Sequence, residues 1–111
     1  MNERHTVYLG LGSNLGDRQS NLAEAVQRLR EFVEIEALSP VYETEPWGYA
    51  DQPRFLNMAL KGRTGLPAPD LLRFLKDVEE KMGRRQVDAI RYGPRPIDID
   101  ILFYDDLVYD A

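Results

Sequence analysis

Residues 97–104 read IDIDILFY. Isoleucine alternates with aspartate, and that period of two is the signature of a strand with one face buried. On this reading Ile97, Ile99, Ile101 and Phe103 enter a core, while Asp98 and Asp100 stand together on the opposite face. Working backward, residues 70–82 carry Leu71, Phe74, Leu75, Val78 and Met82 at helical spacing. Pro67 and Pro69 start that helix and Gly83 suits its C-terminal stop. Residues 55–61 and 33–42 predict two strands, with Pro40 at a bulge or an edge. Residues 17–32 predict a helix with Leu22, Ala25, Val26, Leu29 and Phe32 as its apolar stripe and Asp17 or Ser20 as its cap. Residues 6–11, TVYLGL, predict a buried strand.

The order is therefore β-α-β-β-α-β. It predicts an α+β, ferredoxin-like sandwich: a four-stranded antiparallel sheet with two helices on one face. The other face is left open for a ligand. Two stretches of about a dozen residues, 43–54 and 84–96, belong to no element. Loops of that length in a small domain usually carry function. Both contain aromatic residues, which disordered linkers tend to lack.

Composition narrows the function. The 111 residues support one domain, and 43% apolar content supports a modest core. There is no cysteine, which excludes disulfides, cysteine-based zinc sites and thiol catalysis. The sole histidine, His5, excludes a His-rich metal site and a Ser-His-Asp triad. No apolar run approaches the roughly 20 residues of a membrane span, and the first residues lack a signal-peptide core, so the expected location is a reducing cytoplasm with no membrane partner. A net charge of −5 argues against a nucleic-acid partner. Yet residues 84–95 carry +3, from Arg84, Arg85, Arg91 and Arg95 against Asp88. A basic stretch on an acidic chain suggests one specific anionic ligand.

Two carboxylates on one face of a strand can hold one or two hard cations, and magnesium commonly takes one or two carboxylates plus substrate phosphates. A solvated acidic face explains Asp98 and Asp100 equally well by themselves. Arg91 and Arg95 nearby change the weighing, because guanidinium groups beside paired carboxylates make sense around a polyphosphate and its metal. An internal Arg–Asp network is the competing explanation, and it leaves Tyr92 and the Gly93–Pro94 turn unexplained. Thr44, Glu45, Trp47, Tyr49, Phe55 and Asn57 could hold a flat, hydrogen-bonding heterocycle by stacking and edge recognition. Ordinary packing suffices for Tyr49 and Phe55 singly, less so for Trp47. The run GLGSNLG holds Gly10, Gly12 and Gly16 between a strand and a helix, but its spacing misses the dinucleotide fingerprint. A tight strand-to-helix connection is the expected role.

The segment RYGPRPIDIDILFYDD, the GSNLG run and the stretch YETEPWGYADQPRFLNMA together resemble the 6-hydroxymethyl-7,8-dihydropterin pyrophosphokinase family, in the family's order and over essentially the whole chain. The resemblance implies a ferredoxin-like enzyme that transfers pyrophosphate from ATP to the pterin hydroxymethyl group, releasing AMP, in folate biosynthesis. It implies that Asp98 and Asp100 bind two magnesium ions, and that Arg95 and Arg84 act on the transferring phosphate, with Arg85 competing for the role of Arg84. Thr44, Trp47, Phe55, Asn57 and Tyr92 fall where the family binds pterin. Leu72, Glu79, Arg91 and Ile101 fall near its ATP site. Residues 1–111 would form a single domain lacking the family's C-terminal segment, one that folds but turns over weakly. A non-catalytic nucleotide- or pterin-binding module of the same fold is the rival expectation.

Overall fold

The computed structural model describes residues 4–45, 54–83 and 96–108. Its elements follow the order β1 (His5–Ser13), α1 (Arg18–Leu29), β2 (Glu34–Leu38), β3 (Tyr42–Thr44), β4 (Phe55–Thr64), α2 (Ala68–Lys81), β5 (Asp98–Tyr104) and β6 (Leu107–Val108). The strands form one six-stranded sheet in the order β2-β4-β1-β5-β6, with β3 also paired to β4. All pairings are antiparallel.

Each helix begins and ends for a local reason. The Asp17 carboxylate accepts the Ser20 N–H at 3.1 Å, so Asp17 rather than Ser20 caps α1. Pro67 precedes α2, and Pro69 sits in its first turn, where a missing N–H costs nothing. Gly83 follows α2 with φ of 100°, a conformation that suits glycine. The helix stripes Leu22, Ala25, Val26, Leu29 and Leu71, Leu75, Val78 meet one sheet face in a single core. There they pack on Val7, Leu9, Leu11, Met58, Leu60, Ile97, Ile99 and Ile101.

Four expectations need correction. The sheet has six strands, not four, because the expected strand over residues 33–42 is two strands and β6 adds a short hairpin. Pro40 has no N–H for a ladder, and the break falls beside it. Ser39 sustains the pairing there, its N–H donating to the Ala59 carbonyl and its hydroxyl accepting the Ala59 N–H, both at 2.8 Å. Phe32 lies beyond the end of α1 and is exposed, meeting Phe74 edge to face. Phe103 is exposed as well. The β1–β5 register slips between Tyr8 and Leu9, so Leu102 is an extra residue opposite the step. That bulge turns Phe103 to the outer face beside Tyr8 and sends Tyr104 inward, where its hydroxyl donates to the Leu66 carbonyl at 2.6 Å. Finally, Gly10 and Gly12 belong to β1 itself; of the three glycines only Gly16, with φ of 72°, serves the connection to α1.

Candidate active site on the open sheet face

The register of β1 with its neighbours lays out the outer face row by row. Asn57, Gly12 and Asp98 lie abreast, and so do Ala59, Gly10 and Asp100. The next row is Lys61, Tyr8 and Phe103. The central strand thus offers no side chain for two rows, and the face sinks there. The result is a cavity of about 390 Å³ with Gly10 and Gly12 in its floor. Asp98 and Asp100 form one wall, with Leu102 beyond them, and Tyr42, Thr44, Glu45, Phe55 and Asn57 form the other.

Each wall is built from the bottom. Asp98 and Asp100 project together because they are two apart in β5, with Ile97, Ile99 and Ile101 sealed in the core between and beside them. Among the described residues no cluster of three or more metal-ligating side chains occurs. A carboxylate pair fits a magnesium site that completes its shell with phosphate oxygens and water, and does not fit an all-protein cage. On the opposite wall, the Asn57 amide donates to the Thr44 hydroxyl at 2.6 Å. That bond fixes the carboxamide so that its oxygen stays available, and the Phe55 ring stands beside it. A Cβ on Gly12 would come within 3.0 Å of the Asn57 Oδ1 and 3.3 Å of the Phe55 ring, so the glycine is what lets both approach the floor.

The chain enters and leaves this wall through a clamp of charges. Arg18, the first residue of α1, donates to the Glu43 carboxylate at 2.9 Å and to the Arg54 carbonyl at 2.7 Å. Arg54 in turn pairs with Glu45 at 2.9 Å. These contacts tie the end of β3 to the start of β4 and to α1. Nothing in the local sequence marks Arg18 for that task.

Of the expected site residues, Asp98, Asp100, Thr44, Phe55 and Asn57 come together in the cavity. Leu72, Glu79 and Ile101 do not line it. Ile101 is buried on the inner face, Leu72 packs against the core from α2, and Glu79 is buried, its carboxylate accepting the Ile99 N–H of β5. Trp47, Arg84, Arg85, Arg91, Tyr92 and Arg95 lie outside the described residues. Sequence reasoning missed Gly10 and Gly12 as the floor, although the period of β1 already puts them on one face with Tyr8.

An antiparallel sheet with helices on one face, and a cavity on the other that joins a carboxylate pair to a polar–aromatic wall, defines a small-molecule site suited to a metal-bound anion beside a flat ligand. Residues 8–109 match the family model described as 7,8-dihydro-6-hydroxymethylpterin-pyrophosphokinase (HPPK), and the chain belongs to that family. It is 52% identical over 103 residues to the 2-amino-4-hydroxy-6-hydroxymethyldihydropteridine pyrophosphokinase of Aquifex aeolicus, covering 93% of this chain and 63% of that protein. It is 42% identical to the Bacillus subtilis protein of the same name, covering 89% of this chain and 59% of that one. The chain thus spans somewhat under two thirds of these relatives. The crystal structure of a Plasmodium falciparum HPPK-DHPS with pterin and p-hydrobenzoate superimposes with a TM-score of 0.70 at 19% identity, over 96% of this chain and 30% of that one, a likeness of fold.

Proposed function

We propose that this chain carries out ATP-dependent pyrophosphoryl transfer to the hydroxymethyl group of 6-hydroxymethyl-7,8-dihydropterin. The observation that carries the reading is the single cavity in which Asp98 and Asp100 face Thr44, Phe55 and Asn57. The spatial order β2-β4-β1-β5 is that of a split βαβ, and we class the fold as ferredoxin-like on that ground.

In this scheme the Asn57 carboxamide and Thr44 hydroxyl read the polar edge of the pterin, while Phe55, with Trp47 and Tyr92, supplies apolar surface to its face. The pterin hydroxyl oxygen attacks the β-phosphorus of ATP. The bond from that phosphorus to the α-bridging oxygen breaks, AMP leaves, and the hydroxyl proton passes to solvent. Asp98 and Asp100 would hold two magnesium ions, which would supply neutralisation of phosphate charge. Arg84 and Arg95 stabilise charge on the transferring group, and positioning supplies much of the rate. Of the residues expected at ATP, Leu72 belongs to α2 and Ile101 to β5, while Glu79 is buried and accepts the Ile99 N–H, so we assign it no direct contact with the nucleotide. A nucleotide with its phosphates at Asp98 and Asp100 would lay its nucleoside along the edge between α2 and β5, and Arg91 is assigned to the same ligand by the resemblance. Partners are these two small molecules, and a cysteine-free chain suits a reducing cytoplasm.

The test is to incubate the 111-residue chain with 6-hydroxymethyl-7,8-dihydropterin and MgATP, and to follow AMP and pterin pyrophosphate by chromatography. The two products should appear in equal amounts. Binding of both substrates without either product would make the chain a binding module. AMP without pterin pyrophosphate would make it a hydrolase.

A further inference from the structure

Glu79 is the one carboxylate among the buried side chains of the described residues, at 5% exposure. Burying a carboxylate is costly unless strong hydrogen bonds hold it. Its Oε2 accepts the backbone N–H of Ile99 at 2.7 Å, a short, charge-assisted bond between residues twenty apart. Ile99 lies between Asp98 and Asp100. On one side β5 is paired along its length with β1, whereas β6 covers only Phe103 and Tyr104 on the other. At Ile99, then, Glu79 supplies a hydrogen bond on the side of β5 that is not paired with β1.

We infer that Glu79 is a positioning residue for Asp98 and Asp100. By pinning the peptide between them, it fixes the twist of β5 there and with it the angle at which the two carboxylates enter the cavity. The same bond joins that strand to the last turn of α2, four residues before Gly83, where the arginine-bearing segment begins. This role rests on the reading that Asp98 and Asp100 hold magnesium. It is distinct from a direct contact between Glu79 and the nucleotide: it acts through the acceptor oxygen on the Ile99 amide.

The 111-residue chain and three variants decide the matter. Glu79→Met keeps the side-chain length without an acceptor, Glu79→Gln keeps an acceptor without charge, and Asp100→Asn tests the metal reading. ATP is titrated by calorimetry with magnesium chloride and again with EDTA, and amide exchange of Ile99 is followed by NMR. Glu79→Met should weaken magnesium-dependent ATP binding about 10–100-fold, as loss of supporting partners does at metal sites. Binding in EDTA should be unchanged, and Ile99 exchange should accelerate. Glu79→Gln should stay within about twofold of the parent, with Ile99 still protected. Asp100→Asn should lose the magnesium dependence. If Asp100→Asn loses it and Glu79→Met does not, positioning by Glu79 is overturned and the metal reading stands. If Glu79→Gln is as damaging as Glu79→Met, the charge acts directly and the inference is again overturned. If Asp100→Asn keeps full dependence, the metal reading itself falls, and this inference with it. Should Glu79→Met not fold, the parent and Glu79→Gln decide alone: an unprotected Ile99 amide in either one overturns the bond.

Discussion

Along β1, Val7, Leu9 and Leu11 look toward the helices and are almost completely sealed, while Tyr8, Gly10 and Gly12 look the other way across an open face. The same contrast runs along β5, where Ile97, Ile99 and Ile101 alternate with Asp98 and Asp100. The inner face is filled by many interchangeable apolar contacts. The outer face is defined by what is missing from its centre and by a few polar groups around the gap. Stability should therefore depend on the first and binding on the second, and substitutions can set one against the other.

The largest effect is expected inside. Leu9→Ala removes a fully buried side chain from the central strand and should cost about 2–5 kcal/mol in chemical denaturation. Ligand affinity measured on the folded fraction should hardly move. A loss below about 1 kcal/mol would mean that the inner face is not the source of stability. Next comes Gly62, where β4 passes close to the start of β2. A Cβ there would meet Val33 Cγ1 at 2.7 Å and the Glu34 carbonyl oxygen at 2.8 Å. Backbone cannot swing aside, so Gly62→Ala should destabilise by about 1–3 kcal/mol, and an unchanged denaturation midpoint would refute the packing described.

Gly12→Ala crosses to the outer face. The added methyl would press on Asn57 Oδ1 and the Phe55 ring, side chains that can give by a few tenths of an ångström, and would meet the Leu56 carbonyl oxygen only at ordinary contact, 3.8 Å, so thermal stability should change little. Moving Asn57 disturbs its bond to Thr44, and affinity for 6-hydroxymethylpterin should fall by about 1–2 kcal/mol in a calorimetric titration. Undiminished affinity would place the heterocycle elsewhere. The smallest effect concerns Asp105, in the β5–β6 turn with φ of 54°. The His5 ring donates to its carboxylate at 2.8 Å and holds its pKa below the usual carboxylate value, helped by the Thr6 N–H at 2.9 Å. A lowered pKa stabilises the fold at every pH above the unfolded carboxylate value, and the gain disappears as pH falls through the folded value. Asp105→Asn should flatten the acid limb of a melting-temperature profile and leave ligand binding alone; an unaltered limb would show that the contact contributes nothing.

The same contrast explains what the sequence revealed. Inner-face periodicity is dense, so both helices and the four main strands could be read from it, with Asp98 and Asp100 falling out of the alternation in β5. The bulge at Leu102 could not be foreseen, because IDIDILFY ends in four apolar residues that offer no pattern to violate. Phe103 accordingly went to the wrong face. Thr44, Phe55 and Asn57 were legible as a group because they cluster in the chain. The glycine floor was overlooked because GLGSNLG drew attention as a loop motif, while its alternation with Leu9 and Leu11 already implied a bare outer stripe. Arg18 and Glu79 act across 25 or more and 20 residues of chain, and such long-range partners leave no local trace.

The central claim is that Asp98 and Asp100 serve magnesium-dependent binding. Asp98→Asn and Asp100→Asn, singly and together, can be compared with the parent by titrating ATP with and without magnesium while recording thermal unfolding of the same samples. The variants should lose the magnesium-dependent part of ATP affinity and still unfold cooperatively, with the inner-face core intact. Equal magnesium-dependent affinities in parent and double variant would contradict the account, whatever happened to the melting temperature.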